Sequence, residues 1–155
     1  MLGSRNEPSW FTLAGISCHL KDYRLSFLLN QNMHSSFRKM EDIAGGYSLY
    51  YHLDDECRNF YYLISNRSED KLLFPGLKQT DFLLLVEGPM KKSQLERLLK
   101  IIRTIPNVLT AFEIKVESLK TFPGFLSDLE LHLMNIKKES NQKSIFTKKQ
   151  GGNYV

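Results

Sequence analysis

Residues 81–120 read DFLLLVEGPMKKSQLERLLKIIRTIPNVLTAFEIKVESLK and predict a strand, a helix and a second strand in that order. The run 82–86 is continuously apolar and ends before a Gly-Pro pair, which is typical of a strand covered on both faces or lying mid-sheet. Residues 108–116 alternate in polarity and become charged toward their end, which indicates a strand with one apolar face. We therefore expect this unit to be the energetic centre of the domain.

The predicted helix between these strands carries one apolar stripe. Ser93 stands three residues before Glu96, which is the spacing of a capping box, and Pro106 ends the helical pattern. The stripe recurs at helical spacing and consists of Leu95, Leu98, Leu99, Ile102 and Ile105. Each of these side chains would contribute roughly 1.5–3 kcal/mol if fully buried, so the stripe predicts a helix packed against a sheet.

The composition is typical of a globular protein. With 155 residues, of which 42% are hydrophobic and 12% aromatic, the chain predicts one domain with a sizeable core. No apolar run resembles a secretory signal or a membrane span, and Cys18 and Cys57 lack the C-x-x-C spacing. These features predict a cytoplasmic protein with reduced thiols and no membrane association.

Outside the central unit, the patterns predict a strand, a helix, an edge-type strand and a β-hairpin with a longer loop. Their ranges are 10–18, 19–31, 37–43, and 47–53 paired with 60–65. Residues 126–136 fit both a helix and an alternating strand. The helix is slightly favoured because Ser127 and Asp128 can cap it.

The predicted element order is β-α-β-β-β-β-α-β followed by a C-terminal element. Helices with one apolar face and partly alternating strands favour an α+β fold. We expect a two-layer sandwich, with a mixed or mostly antiparallel sheet and two helices on one face. The expected organisation is a flexible lead-in at 1–9, a single α+β domain at 10–136 and a basic, disordered tail at 137–155.

The net charge of +4 belongs to that tail, because residues 1–136 hold as many basic as acidic side chains. The excess is carried by five lysines against Glu139, namely Lys137, Lys138, Lys143, Lys148 and Lys149. Such a segment can contact RNA or an acidic partner through charge alone. The alternative is a solvated tail that aids solubility.

Three segments carry a resemblance to a known family: HLKDYRLSFLLNQNM at 19–33, FPGLKQTDFLLLVEG at 74–88 and IRTIPNVLTAFEIKVESLK at 102–120. They resemble a small bacterial family of unknown function, which is named for the signature Ile-Pro-Glu-x-x-x-Val-Asp-Tyr. The signature corresponds to FPGLKQTDF here, where Pro75 and Asp81 coincide with it and Gly76 replaces its glutamate. The resemblance covers roughly residues 10–125 and implies no activity or cofactor.

No residue pattern predicts catalysis, cofactor binding or a metal site. Asp54, Asp55 and Glu56 are consecutive in a predicted hairpin loop, where polar residues are ordinary. The four histidines lack metal-ligand spacing, and no nucleophile elbow or phosphate loop is present. Cys57 would be reactive only if Arg58 lay close enough to lower its pKa.

The aromatic hairpin offers a candidate partner-binding surface at Tyr50, Tyr51, Tyr61 and Tyr62. Neighbouring residues of a strand point to opposite faces, so these rings line both faces of the hairpin. Packing within the domain, a protein interface and stacking on RNA bases are the alternatives.

The favoured hypothesis is a non-enzymatic domain that binds a protein partner or forms a homodimer. The alternative is an RNA- or ribosome-associated factor that uses the lysine-rich tail and exposed aromatic rings. An enzyme would instead require a concave pocket lined by groups such as His52, Asp54 or Cys57.

Overall fold

The chain folds into eight strands and three α-helices within residues 10–151, which are the residues that the computed structural model describes; side chains are described for residues 10–139. The helices are α1 (Asp22–Met33), α2 (Lys92–Arg103) and α3 (Phe122–Gly151). The strands are β1 (Phe11–Cys18), β2 (Arg38–Ile43), β3 (Tyr47–Asp54), β4 (Asn59–Ser65), β5 (Arg67–Ser68), β6 (Lys71–Leu72), β7 (Phe82–Glu87) and β8 (Val108–Ile114).

Six of the strands form one sheet in the order β2-β3-β4-β7-β1-β8. Every neighbouring pair in this sheet is antiparallel, and β5 and β6 form a separate two-stranded ribbon. The predicted α+β fold with an antiparallel sheet is confirmed. The predicted strand-helix-strand unit is also present, but β1 pairs between its two strands.

One face of the sheet is covered by α1 and α2, as predicted. The apolar stripe of α2 is buried, with Leu95, Leu98, Leu99 and Ile102 each at most 7% exposed. Leu25 and Leu29 of α1 are fully buried in the same core cluster. Alternate strand residues such as Ile16, Leu63 and Leu84 fill this cluster from the sheet.

The opposite face is covered by α3, which adds a third layer to the predicted two. Phe122, Leu126 and Leu129 are fully buried there, against Leu13, Leu83 and other strand residues. Residues 126–136 are therefore helical, and the favoured alternative is confirmed. Two covered faces also explain why β7 is apolar at consecutive positions.

The predicted starts of α2 and α3 lie too far along the chain, whereas that of α1, at residue 19, precedes the observed start at Asp22. α2 begins at Lys92, and the N–H of Lys91 donates to Oε1 of Gln94 at 2.8 Å, so the Ser93–Glu96 box is wrong. α3 begins at Phe122, where Pro123 suits a first turn that needs no N–H donor. Ser127 lies inside α3, so the cap predicted there is also wrong.

The segment that resembles the family signature is held by two buried or half-buried side chains. Asn66 is 0% exposed, donates to the carbonyls of Leu77 and Thr80, and accepts from the N–H of Phe74. Asp81 accepts from the N–H of Cys18 at 2.9 Å and from Nε of Arg67 at 2.7 Å. These contacts give the loop between β6 and β7 a structural role.

The helical backbone of α3 continues through residues 137–151, where the sequence predicts a disordered tail. The stretch between Gly124 and Gly151 contains neither proline nor glycine, and its lysine, glutamate and glutamine residues have good helix propensity. The predicted boundary at residue 137 is therefore not a helix end. The predicted lead-in at 1–9 lies outside the described residues.

Candidate functional site

Three of the four tyrosines predicted as a partner-binding surface are buried in the domain. Tyr62 is 0%, Tyr50 7% and Tyr61 8% exposed, and only Tyr51 is half-buried. Adjacent rings point to opposite faces, as expected, but helices cover both of those faces. Burial therefore removes Tyr50, Tyr61 and Tyr62 from any surface for a partner or for stacked RNA bases.

The hydroxyl groups of two of these tyrosines are held by acidic side chains. Tyr50 donates to Oδ2 of Asp22 at 3.1 Å, and burial, with the charge of Asp22, raises the pKa of Tyr50 to about 12. Tyr62 donates to Oε1 of Glu87 at 3.3 Å, and burial, with the charge of Glu87, raises the pKa of Tyr62. Both tyrosines therefore remain protonated and act as internal hydrogen-bond donors.

A groove of about 430 Å³ lies at the end of the β3–β4 hairpin, where the enzyme hypothesis requires a pocket. It is lined in part by His34, His52, Asp54 and Glu56. Nδ1 of His52 accepts from the N–H of Ser36 at 3.1 Å, and burial lowers the pKa of His52, so the ring is held neutral. This histidine therefore positions the loop after α1.

The acidic residues of the hairpin loop are also used within the chain. Oδ1 of Asp54 accepts from the N–H groups of Glu56 and Cys57, which closes the turn. The charge of Asp54 raises the pKa of the exposed Cys57 thiol, so the lowering by Arg58 that a reactive thiol requires is absent. Among the described side chains, no group of three or more His, Cys, Asp and Glu could hold a metal ion.

The lysines predicted to contact RNA or an acidic partner lie on α3 or beyond the described side chains. Lys137 and Lys138 are exposed on α3. The side chains of Lys143, Lys148 and Lys149 lie outside the described residues. Two of the five lysines on which the RNA hypothesis depends are therefore described by the structure, and both are exposed.

The two edges of the sheet differ in charge and in cover. Edge strand β2 has four exposed charged side chains, namely Arg38, Lys39, Glu41 and Asp42. Its pairing with β3 is irregular after Met40, and Nε2 of His132 on α3 donates to the carbonyl of Glu41 at 2.8 Å. Charge, irregular pairing and a covering helix are the features that protect an edge strand from pairing with another chain.

Edge strand β8 shares the irregular pairing, with a register shift at Leu109, and a helix side chain on an outer carbonyl, but it differs from β2 in charge. Residues 108–112 are uncharged, and Leu109 is 63% exposed. Two contacts from outside the sheet occupy its backbone among the described residues: Nε of Arg103 donates to the carbonyl of Ala111 at 2.8 Å, and the N–H of Val108 donates to the carbonyl of Ile105 at 3.1 Å. β8 is therefore the candidate binding site, with Leu109, Ala111 and Glu113 as its central residues.

Sequence reasoning missed this site because it predicted the strand without its place in the sheet. Alternation at 108–116 assigns Leu109 to the more polar face, which is the only local signal of its exposure. The strand order depends on β1 pairing with both β7 and β8 across large sequence separations. Local periodicity carries no information about such pairings.

Comparisons with known proteins found no match to this chain among protein-family models, curated proteins or solved structures. The resemblance to the signature-named family therefore stays a prediction. Within residues 10–151, no helix is both long enough and apolar enough to cross a membrane.

Proposed function

We propose that this protein is a non-enzymatic binding domain that recruits a protein partner, or a second copy of itself, by strand addition to β8. The observation that carries the proposal is the contrast between the two sheet edges. Both edges have irregular pairing and one helix side chain on an outer carbonyl, but β2 carries four exposed charges, whereas β8 presents an uncharged run with Leu109 at 63% exposure.

Strand addition suits this edge physically. An incoming extended segment makes main-chain hydrogen bonds to an open edge and gains specificity from alternate side chains. The seven residues of β8 are long enough for several such bonds, and an exposed leucine gives an apolar contact beside them. The contact of Arg103 with the Ala111 carbonyl is exchanged for a ladder hydrogen bond when a partner strand binds.

The alternative of an RNA- or ribosome-associated factor has less support. Its aromatic component depends on rings that are buried, namely Tyr50, Tyr61 and Tyr62. Its charge component depends on the lysines of the tail, of which Lys137 and Lys138 are exposed. A cytoplasmic location, suggested by the free thiols of Cys18 and Cys57, fits either function.

The proposal is tested by affinity purification of the tagged 155-residue chain from native extract, with and without nuclease treatment and with an untagged copy coexpressed. The variant Leu109→Lys places a charge on the β8 edge, and Leu131→Lys is its matched control because Leu131 is similarly exposed on α3, at 58%. We expect the proteins captured by the wild type to be lost with Leu109→Lys and kept with Leu131→Lys. Equal capture by both variants would refute binding through β8, and loss of all capture on nuclease treatment would favour the RNA alternative.

A further inference from the structure

We infer that β8 of one copy pairs antiparallel with β8 of a second copy, in the register that sets Ala111 opposite Glu113. The inference rests on the proposed function, because it identifies the occupant of the same edge. It is drawn from the backbone direction of β8 and from the charges of Arg103 and Glu113.

The backbone direction follows from one hydrogen bond. The carbonyl of Ala111 accepts from Arg103 at 2.8 Å, so it points away from β1 and toward the open edge. In an antiparallel strand the N–H and C=O of one residue point to the same side, and the sides alternate along the strand. Ala111 and, two residues on, Glu113 therefore present their backbone groups to an incoming strand.

Outward-facing residues of two strands form the hydrogen-bonded pairs of a ladder, which leaves three registers for these two residues. Pairing Ala111 with itself would bring the two Arg103 side chains together at the symmetry axis. Pairing Glu113 with itself would set two carboxylates directly opposite each other, which is also unfavourable. Pairing Ala111 with Glu113 avoids both repulsions and gives two attractive contacts.

The attractive contacts lie on one face of the joined sheet. Ala111 belongs to the core cluster beneath α1 and α2, and Glu113, two residues on, points to that same face. Arg103 reaches Ala111 from the end of α2, on that face as well. In this register, Arg103 of each copy therefore lies beside Glu113 of the other.

The neighbouring residues are compatible with this register. Leu109, at the bulge of β8, lies at the same end of the pairing as Lys115 of the second copy, which follows the end of that strand and whose methylene stem can cover the exposed leucine. Within one chain Glu113 pairs with Lys115 at 3.1 Å, but Lys115 is 72% exposed. An exposed ion pair contributes little, so its exchange for Arg103 costs little. An interface of one edge strand is small, and we expect a weak, salt-sensitive dimer.

The test exchanges the two charges and measures association of the full chain by sedimentation equilibrium. Arg103→Glu alone and Glu113→Arg alone each replace both attractive contacts by repulsions, so each is expected to weaken the homodimer by about tenfold or more. An equal mixture of the two variants restores both contacts in a heterodimer. We expect the mixture to associate within about threefold of the wild type.

Matched controls are Arg97→Glu on α2 and Glu117→Arg beyond β8, which make the same charge changes at other exposed positions. They are expected to leave the dimer unchanged, and circular dichroism verifies that every variant folds. The inference is overturned if the mixture associates no better than the single variants, or if the single variants associate like the wild type. It is also overturned if the wild type stays monomeric at about 0.5 mM, a concentration suited to small interfaces. A monomeric wild type whose Leu109→Lys variant still loses captured proteins would overturn this inference and leave the proposed function standing.

Discussion

Replacing Asn66 by alanine should destabilise the protein strongly, although Asn66 is only the single residue that connects β4 to β5. Its side chain makes three hydrogen bonds to backbone groups: it accepts from the N–H of Phe74 at 2.9 Å and donates to the carbonyls of Leu77 and Thr80 at 3.0 and 2.9 Å. The residue is 0% exposed, so the freed groups would not regain water on the surface. A buried polar group left without its partner costs roughly 1–3 kcal/mol.

The sum of three such costs is an upper limit for the loss of stability, because a water molecule in the vacated space would replace part of the lost hydrogen bonding. We therefore expect Asn66→Ala to lower the free energy of unfolding by about 3 kcal/mol. The measurement is urea unfolding of the full chain, followed by the fluorescence of Trp10, with the slope of the transition compared between variants. The matched control is Asn32→Ala, which removes an exposed asparagine that also donates to a backbone carbonyl, that of Leu28.

The control should change the free energy of unfolding by at most about 0.5 kcal/mol, because its partner is solvated. Equal, small effects of the two substitutions would refute the conclusion that Asn66 organises the loop between β6 and β7. A normal free energy of unfolding with a larger slope would instead show a change in the unfolded state.

Two further predictions follow from close packing and from burial. Gly15→Ala would place a Cβ 2.8 Å from Cζ of Phe112 and should lower the free energy of unfolding by about 1–3 kcal/mol. Gly76→Ala is the control, because a Cβ there meets nothing within 4 Å. Equal melting temperatures of the two variants would contradict this packing. Because burial lowers the pKa of His52 in the folded state, the unfolded state binds the proton more readily, so stability should decrease as the pH falls below about 6.5. Urea midpoints measured across that range should change less with pH in His52→Gln, and an unchanged pH dependence would exclude His52 as its source.

Local patterns predicted the elements whose signals are contained in a few residues. The stripe of α2 repeats with the period of a helix, the run of β7 is continuously apolar, and the hairpin carries aromatic residues on two paired strands; all three are confirmed. Helix starts were less predictable, because several polar side chains near a helix start can serve as acceptors. At α2 the acceptor is Gln94, which lies within two residues of both members of the predicted box.

The burial of the tyrosines could not be predicted from the hairpin itself. Alternation shows that Tyr61 and Tyr62 point to opposite faces, but it does not show what covers each face. The cover on the Tyr62 side includes α3, whose sequence at 126–136 is compatible with two kinds of element. Without the knowledge that this segment is helical, the sequence does not predict a helix on the second face of the sheet. The tyrosines on that face are then expected to be exposed or covered by a partner.

The placement of α3 also determines which sheet edge is open. α3 reaches β2, where His132 holds the Glu41 carbonyl, and so the helix that completes the second core also protects one edge. β8 lies at the other edge because β1 pairs between the two strands of the central unit, and there Arg103 of α2 holds the Ala111 carbonyl. A guanidinium on a long, exposed side chain is displaced more easily than a paired strand, since it leaves for water without unfolding anything. The contact that occupies the β8 edge in one chain therefore also places a positive charge where an incoming strand must present a negative charge. For this reason, exchanging the charges at Arg103 and Glu113 tests partner binding more sharply than removing either side chain.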